Sequence, residues 1–136
     1  NIMLLGGQAG APQGLIDFQD ALVGHPAYDL VSLLQDARRD VPRELEAVML
    51  DRYRAAMDIS GDDFAADYAL LGAQRNAKIV GIFTRLDKRD GKPKYLGLIP
   101  RVWDALERDL AHPALAPVAR WFDANIPAAI RHAQGA

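Results

Sequence analysis

From Ala27 onward apolar side chains return at spacings of three and four, and that period commits most of this chain to helix. Ala27, Leu30, Val31, Leu34 and Ala37 form one apolar face that runs to about Arg39. Pro42 suits a first helical turn, and Glu44 and Glu46 complement the positive end of the dipole of the helix it opens. That helix carries Leu45, Val48, Met49 and Tyr53 and stops before Gly61. Asp62 or Asp63 can cap a longer helix reaching about Leu86. A polar loop is predicted over 87–94, where Asp90-Gly91 and Pro93 supply turn chemistry. Pro100 begins a further helix through Val102, Trp103, Leu106 and Leu110, halted near His112-Pro113. Val118, Trp121 and Phe122 mark a last helix, with Trp103 and Trp121 both expected in the core, and a frayed helical tail follows Pro127.

Only the first residues depart from this period. Ile2-Met3-Leu4-Leu5 and Gly14-Leu15-Ile16 read as short strands around a turn-rich Gly6–Pro12 connection, which makes a hairpin. Two such strands do not stand alone in water, so they are expected to pack on helices. The expected fold is therefore α+β and mostly α: a short β-hairpin packed on a helical bundle. One unit spans 1–136, with the hairpin and its loop over 1–24 and the bundle over 25–136.

Composition excludes several classes. The net charge of -2 with scattered basic residues argues against a nucleic-acid binder. No cysteine is present, so disulfides and thiolate metal sites are ruled out. His25, His112 and His132 lack any ligand spacing and read as surface or turn residues. No apolar run reaches membrane length and no signal peptide is visible, so no membrane partner is expected and a cytoplasmic location is the default. The chain lacks an initiator Met, which suggests a piece of a longer protein. No internal repeat or low-complexity segment interrupts it.

Chemistry concentrates at the hairpin. Asp17 directly follows the second strand, a rigid place from which to hold a hard cation. Asn1 enters the first strand, 16 residues earlier across a glycine-rich connection, and a hairpin would make the two neighbours. Asp29 falls in the first turn of the helix opened by Pro26, where unpaired backbone N–H groups favour an acid. Asp20 reads as a solvated turn acid. On the long helix Gly72, Asn76, Ile79 and Phe83 share a face, so Asn76 interrupts an apolar stripe. A buried amide needs partners, either polar groups of a bound ligand or a neighbouring helix. Asp36 and Arg38, at a helix end, are further candidates for substrate contact.

The run Ile16-Asp17-Phe18 followed by Gly24-His25-Pro26-Ala27-Tyr28-Asp29-Leu30 resembles the metal-binding segment of the aminoglycoside phosphotransferase family, whose fold is that of the protein kinases. Leu33 to Arg38, Gly72 to Ile79, Asp90-Gly91-Lys92, Tyr95-Leu96, Pro100 to Trp103 and His112 to Leu115 extend the likeness. This set resembles the bacterial anomeric kinases of cell-wall recycling, which act on N-acetylmuramate and N-acetylglucosamine at C1. The resemblance covers the chain from Asn1 to about Phe122 and implies the C-terminal lobe of such an enzyme. It implies ATP and Mg2+ as cofactors, with Asp17 and Asn1 as magnesium ligands and Asp29 bracing the catalytic loop. Asn1 would close an H-x-D-x-x-x-x-N loop whose base aspartate lies upstream, so no catalytic base is expected in this chain. The nucleotide-binding N-terminal lobe would be its missing partner, and the 136 residues alone are expected to be inactive. An aminoglycoside or other hydroxyl kinase on the same scaffold is the alternative enzyme, and a non-catalytic helical interaction module the alternative outside enzymes.

Overall fold

A computed structural model describes residues 2–6, 10–17, 19, 21–61 and 63–132. The hairpin forms from β1 (Ile2–Leu4) and β2 (Gln13–Leu15), antiparallel, with Ile2 opposite Leu15, Met3 opposite Gly14 and Leu4 opposite Gln13. Leu5 N–H donates to Pro12 O at 3.0 Å and extends the ladder by one bond. The apolar side chains here are not swallowed by the bundle as expected. Ile2, Met3, Leu5, Leu15 and Ile16 are all about half exposed or more, with Leu15 at 71%. Strands of three residues give a ladder too short to bring both faces against the helices that follow.

Six α-helices complete the described chain: α1 (Ala27–Leu34), α2 (Arg43–Ala56), α3 (Asp63–Asp90), α4 (Ile99–Leu110), α5 (Ala116–Asn125) and α6 (Ala128–Arg131). Helix α3 is the spine. It packs along α4 and α1, and the 3-10 turn Pro93–Leu98 folds back against it. The polar loop predicted over 87–94 is mostly helix instead, since α3 runs on to Asp90. Lys88 and Arg89 sit favourably at the negative end of its dipole. The stop comes at Gly91, whose φ of +62° turns the chain left-handed, and Lys92 N–H closes back on Leu86 O at 3.1 Å.

The apolar period from the sequence becomes three packed clusters. Ala27 and Val31 of α1 meet Phe64 and Tyr68 of α3. Ala37, Phe83 and Val102 form a second group, and Ala69, Ala73, Trp103, Leu106, Leu110 and Leu115 a third. Full burial of Leu106 contributes on the order of 2 kcal/mol by removal of apolar surface from water. Trp103 is core as expected, whereas Trp121 is 56% exposed. On α5 it is Phe122 that faces inward, edge-on to Trp103 at 6.0 Å, and Trp121 lies against the outer side of Phe122 at 5.3 Å. No helix among the described residues is long and apolar enough to cross a membrane.

Candidate active site

The first candidate, Asp17, stands two residues beyond β2 with a φ of +64°. A left-handed backbone is rare outside glycine, but aspartate is among the side chains that tolerate it. The turn leaves the carboxylate exposed, and Gln19 Nε2 donates to its Oδ1 at 2.7 Å. Asn1, the second proposed metal ligand, lies outside the described residues. No group of three or more His, Asp or Glu gathers into a metal cage among the described residues. Magnesium that sits on substrate phosphates does not require such a cage, needing one or two side-chain oxygens.

Helix α1 connects this end of the molecule to the bundle interior. His25 organises its start: Ala27 N–H donates to Nδ1 at 3.3 Å, and Nε2 lies 3.2 Å from Asp67 Oδ2 on α3. An accepting Nδ1 places the ring proton on Nε2, where it can donate to Asp67. Asp29 sits exposed in the first turn, and its side chain makes no hydrogen bond among the described residues. A first-turn acid is favoured there by the helix dipole.

At the other end of α1 the polar residues do something the sequence did not reveal. Gln35 Nε2 donates to Glu46 Oε1 and to Asp109 Oδ1, both at 3.0 Å. Asn76 Nδ2 donates to Gln35 Oε1 at 2.7 Å and to Asp109 Oδ2 at 3.0 Å. Tyr68 O–H donates to Glu46 Oε1 at 2.8 Å, and Arg108 donates to Glu46 Oε2 at 3.2 Å. One connected network thus joins α1, α2, α3 and α4 beneath the surface. Gln35, Glu46, Tyr68, Asn76 and Asp109 are each less than a tenth exposed. Burial pushes the Asp109 carboxyl up to about 7, against the opposing pull of the Gln35 and Asn76 amides and the Arg108 charge. Burial, reinforced by the Glu46 carboxylate, raises the Tyr68 phenol far above its ordinary range, so it remains a donor. Asn76 Oδ1 has no hydrogen-bond partner among the described residues.

Beside this network a cleft of about 580 Å³ opens between the end of α1, the start of α2 and the outer side of α4. That volume suits a small ligand. Its walls carry Arg39, Arg43, Arg101 and Arg108 against Asp36, Asp40 and Asp104. Asp36, expected as a substrate contact, lines this cleft. Arg38 does not; its backbone N–H donates to Asp36 Oδ1 at 3.0 Å while its side chain is exposed. Asn76, at 1% exposure, belongs to the network and not to the cleft wall.

The hairpin, α1, α2 and the opening of α3 are also where the chain meets a known family. The model of the phosphotransferase enzyme family, APH, matches residues 1–70. The chain belongs to this family. Across most of its length the phosphotransferase chain is similar to curated proteins named N-acetylmuramate/N-acetylglucosamine kinase. It is 48% identical to the protein of Caulobacter vibrioides over 96% of this chain, and 40% identical to that of Pseudomonas aeruginosa over 76%. Identity to the Neisseria meningitidis protein is 40% over 87% of this chain. The phosphotransferase chain spans about a third of the length of these relatives, at 37%, 33% and 36%.

Residues that shape this region of the phosphotransferase chain extend beyond those picked out by motif. Gln35 and Asp109 carried no signal of their own, and Glu46 read only as a first-turn acid. Asn76 was the single clue, an amide in an apolar stripe, but its partners lie 41 and 33 residues away on other helices.

Proposed function

We propose that this chain is the C-terminal lobe of an ATP-dependent kinase that phosphorylates the anomeric hydroxyl of N-acetylmuramate and N-acetylglucosamine. The observation that carries the reading is the 48% identity to the C. vibrioides kinase across 96% of the chain. In the reaction the sugar O1 forms a bond to the γ-phosphorus as the bond to the ADP oxygen breaks. The hydroxyl proton passes to an aspartate upstream of Asn1.

The exposed Asp17 carboxylate at a strand end fits a magnesium ion shared with phosphates and water, and Asn1 would be its second ligand. When bound, the ion neutralises charge on the transferring phosphoryl group and its leaving oxygen. Asp29 would hold the catalytic loop through backbone N–H groups, and α1 would set its distance from the acceptor cleft. A cytoplasmic location fits an enzyme that draws on ATP.

The test is a phosphotransfer assay on the protein expressed together with the coding region upstream of Asn1. Transfer from ATP to both amino sugars is expected, with Asp17→Ala reducing kcat by about 100-fold or more. The 136 residues alone are expected to transfer nothing. Transfer to kanamycin in preference to the amino sugars would replace the reading with an aminoglycoside kinase. Absence of any metal-dependent nucleotide binding would replace it with an interaction module.

A further inference from the structure

We infer that α2 is a hinged lid: its C-terminal half is fixed to α3, and its N-terminal half is held closed by one latch, the Glu46 carboxylate.

Burial along the helix is the first support. Of the 14 residues of α2 only Glu46 is buried. The 12 residues of α4, by contrast, bury Val102, Trp103, Ala105, Leu106, Asp109 and Leu110. Leu45 and Val48, the apolar side chains nearest Glu46 on α2, are exposed. Such apolar packing as α2 has lies further along. Leu50 and Tyr53 join the cluster around Val31, Phe64 and Tyr68, and the Tyr53 ring stacks on Phe64 at 5.8 Å. Beyond them Arg54 donates to Gly61 O at 2.8 Å and pins the turn that follows the helix. The main chain bends there through Asp58 and Gly61, with φ of +52° and +99°.

The latch itself is polar, and its other half comes from three different elements. Glu46 accepts from Tyr68 O–H of α3 at 2.8 Å, from Gln35 Nε2 beyond α1 at 3.0 Å and from Arg108 of α4 at 3.2 Å. Gln35 Nε2 also donates to Asp109 Oδ1 at 3.0 Å, so closure sets two carboxyl groups against one amide and weakens the hold. Tyr68, Gln35 and Arg108 all line a second cleft, where water can replace the carboxylate when it withdraws.

Space around the latch is the third support. The cleft of about 580 Å³ described above and the second one, of about 490 Å³, share Gln35, Arg43 and Arg108 as lining residues. These side chains are the partition between the two, and Glu46 holds two of them in place. A lid that lifts at Glu46 merges both clefts into one groove. The link from α1 gives it room: past the buried Ala37, the residues Arg38, Arg39 and Asp40 are exposed. Only surface pairs hold that link, Arg39 with Asp36 at 3.8 Å and Arg101 with Asp40 at 3.9 Å.

Distances between spin labels, read by pulsed electron paramagnetic resonance, decide the matter in the protein expressed with the region upstream of Asn1. This chain contributes no cysteine of its own. Labels on Val48→Cys and Asp104→Cys report the latched half of α2, and labels on Ala55→Cys and Asp104→Cys its hinge half. Glu46→Gln keeps the size of the side chain but loses its charge. It is expected to raise a longer-distance population of the first pair about tenfold over wild type, while the second pair keeps a single distance. Tyr68→Phe, which removes one donor of three, should give a smaller rise of the same kind. It decides alone if Glu46→Gln loses its helical circular dichroism. An unchanged first pair in the folded variants would overturn the latch. Lengthening of both pairs together would overturn the hinge. No turnover is needed for the readout, so failure of the kinase reading would leave it untouched.

Discussion

The carboxylate of Asp109 fills the space that a side chain at position 72 would need. A Cβ built on Gly72 would lie 2.5 Å from Asp109 Oδ2 and 2.8 Å from Oδ1, closer than any real contact. Helix α4 can therefore approach α3 closely enough for Asp109 to reach both Gln35 and Asn76. The glycine has no special backbone angle to excuse it within α3; its role is clearance.

Replacement of that glycine measures the clearance directly. Gly72→Ala gains about 1 kcal/mol of helix propensity, but it must displace a buried carboxylate held by two amides. Overpacking costs about 1–3 kcal/mol, and loss of either hydrogen bond adds to it. Net destabilisation of about 1–3 kcal/mol by urea denaturation is expected, and a stabilised variant would show that the two helices can part freely.

The network also makes stability depend on pH in an unusual direction. Asp109 has a pKa of about 7 in the folded protein against 3.8 ordinarily. Between those values the native state holds a proton that the unfolded chain does not, so this group's contribution to stability falls as pH rises. Each pH unit crossed between the two values removes about 1.4 kcal/mol, so the fall is on the order of 4 kcal/mol from about pH 4 to about pH 7. Asp109→Asn cannot titrate, and its NH2 meets an amide donor as the O–H of the protonated acid also does, so the two proteins are expected to lie within about 1 kcal/mol of each other at low pH. Denaturation curves across this range should show the wild type losing stability relative to the variant as pH rises towards neutral; a constant difference would exclude the titration.

Glu46 and Tyr68 should differ sharply although they share a hydrogen bond. Tyr68→Phe removes one donor from a carboxylate that retains Gln35 and Arg108, and about 1 kcal/mol is expected. Glu46→Ala leaves a buried hydroxyl, an amide and a mostly covered guanidinium without their acceptor, for about 3 kcal/mol. Similar losses for the two would mean that the network is not centred on Glu46.

Arg131 fastens the C-terminal end of the described chain. Its side chain is 6% exposed, donates to Ile126 O, Glu107 and Asp123, and lies over the rings of Trp103 and Phe122. Asp123 is 71% exposed, so that pair contributes little; the planar contacts matter more. Arg131→Lys keeps the charge but loses the fork and the stacking. Faster amide exchange confined to residues 126–132 is expected, and unchanged exchange would remove the fastening role.

Local sequence announced some of this fold clearly and concealed the rest. The period of α4 placed Val102, Trp103, Leu106 and Leu110 in the core, and all are there. The end of α3 was misplaced because Asp87 to Asp90 is polar enough to look like loop, whereas a solvated helix end is equally polar. Trp121 misled for the opposite reason: a large aromatic in an apolar stripe still points outward when its neighbour Phe122 takes the inner face. The motif around Asp17 led to the family, which the match over residues 1–70 bears out. The network could not be foreseen, since nothing in Gln35, Glu46 or Asp109 reveals that helices far apart in sequence bring them within 3.0 Å.

The left-handed turn at Asp17 narrows what evolution can try there. Few side chains besides glycine, asparagine and aspartate accept a φ of +64° at low cost, and of these only aspartate carries charge. Glutamate, the usual conservative swap, would bring a longer arm and a strained main chain at once. The corner proposed to hold magnesium is thus constrained twice over, by the charge that an ion there would demand and by the bend that any replacement must first survive.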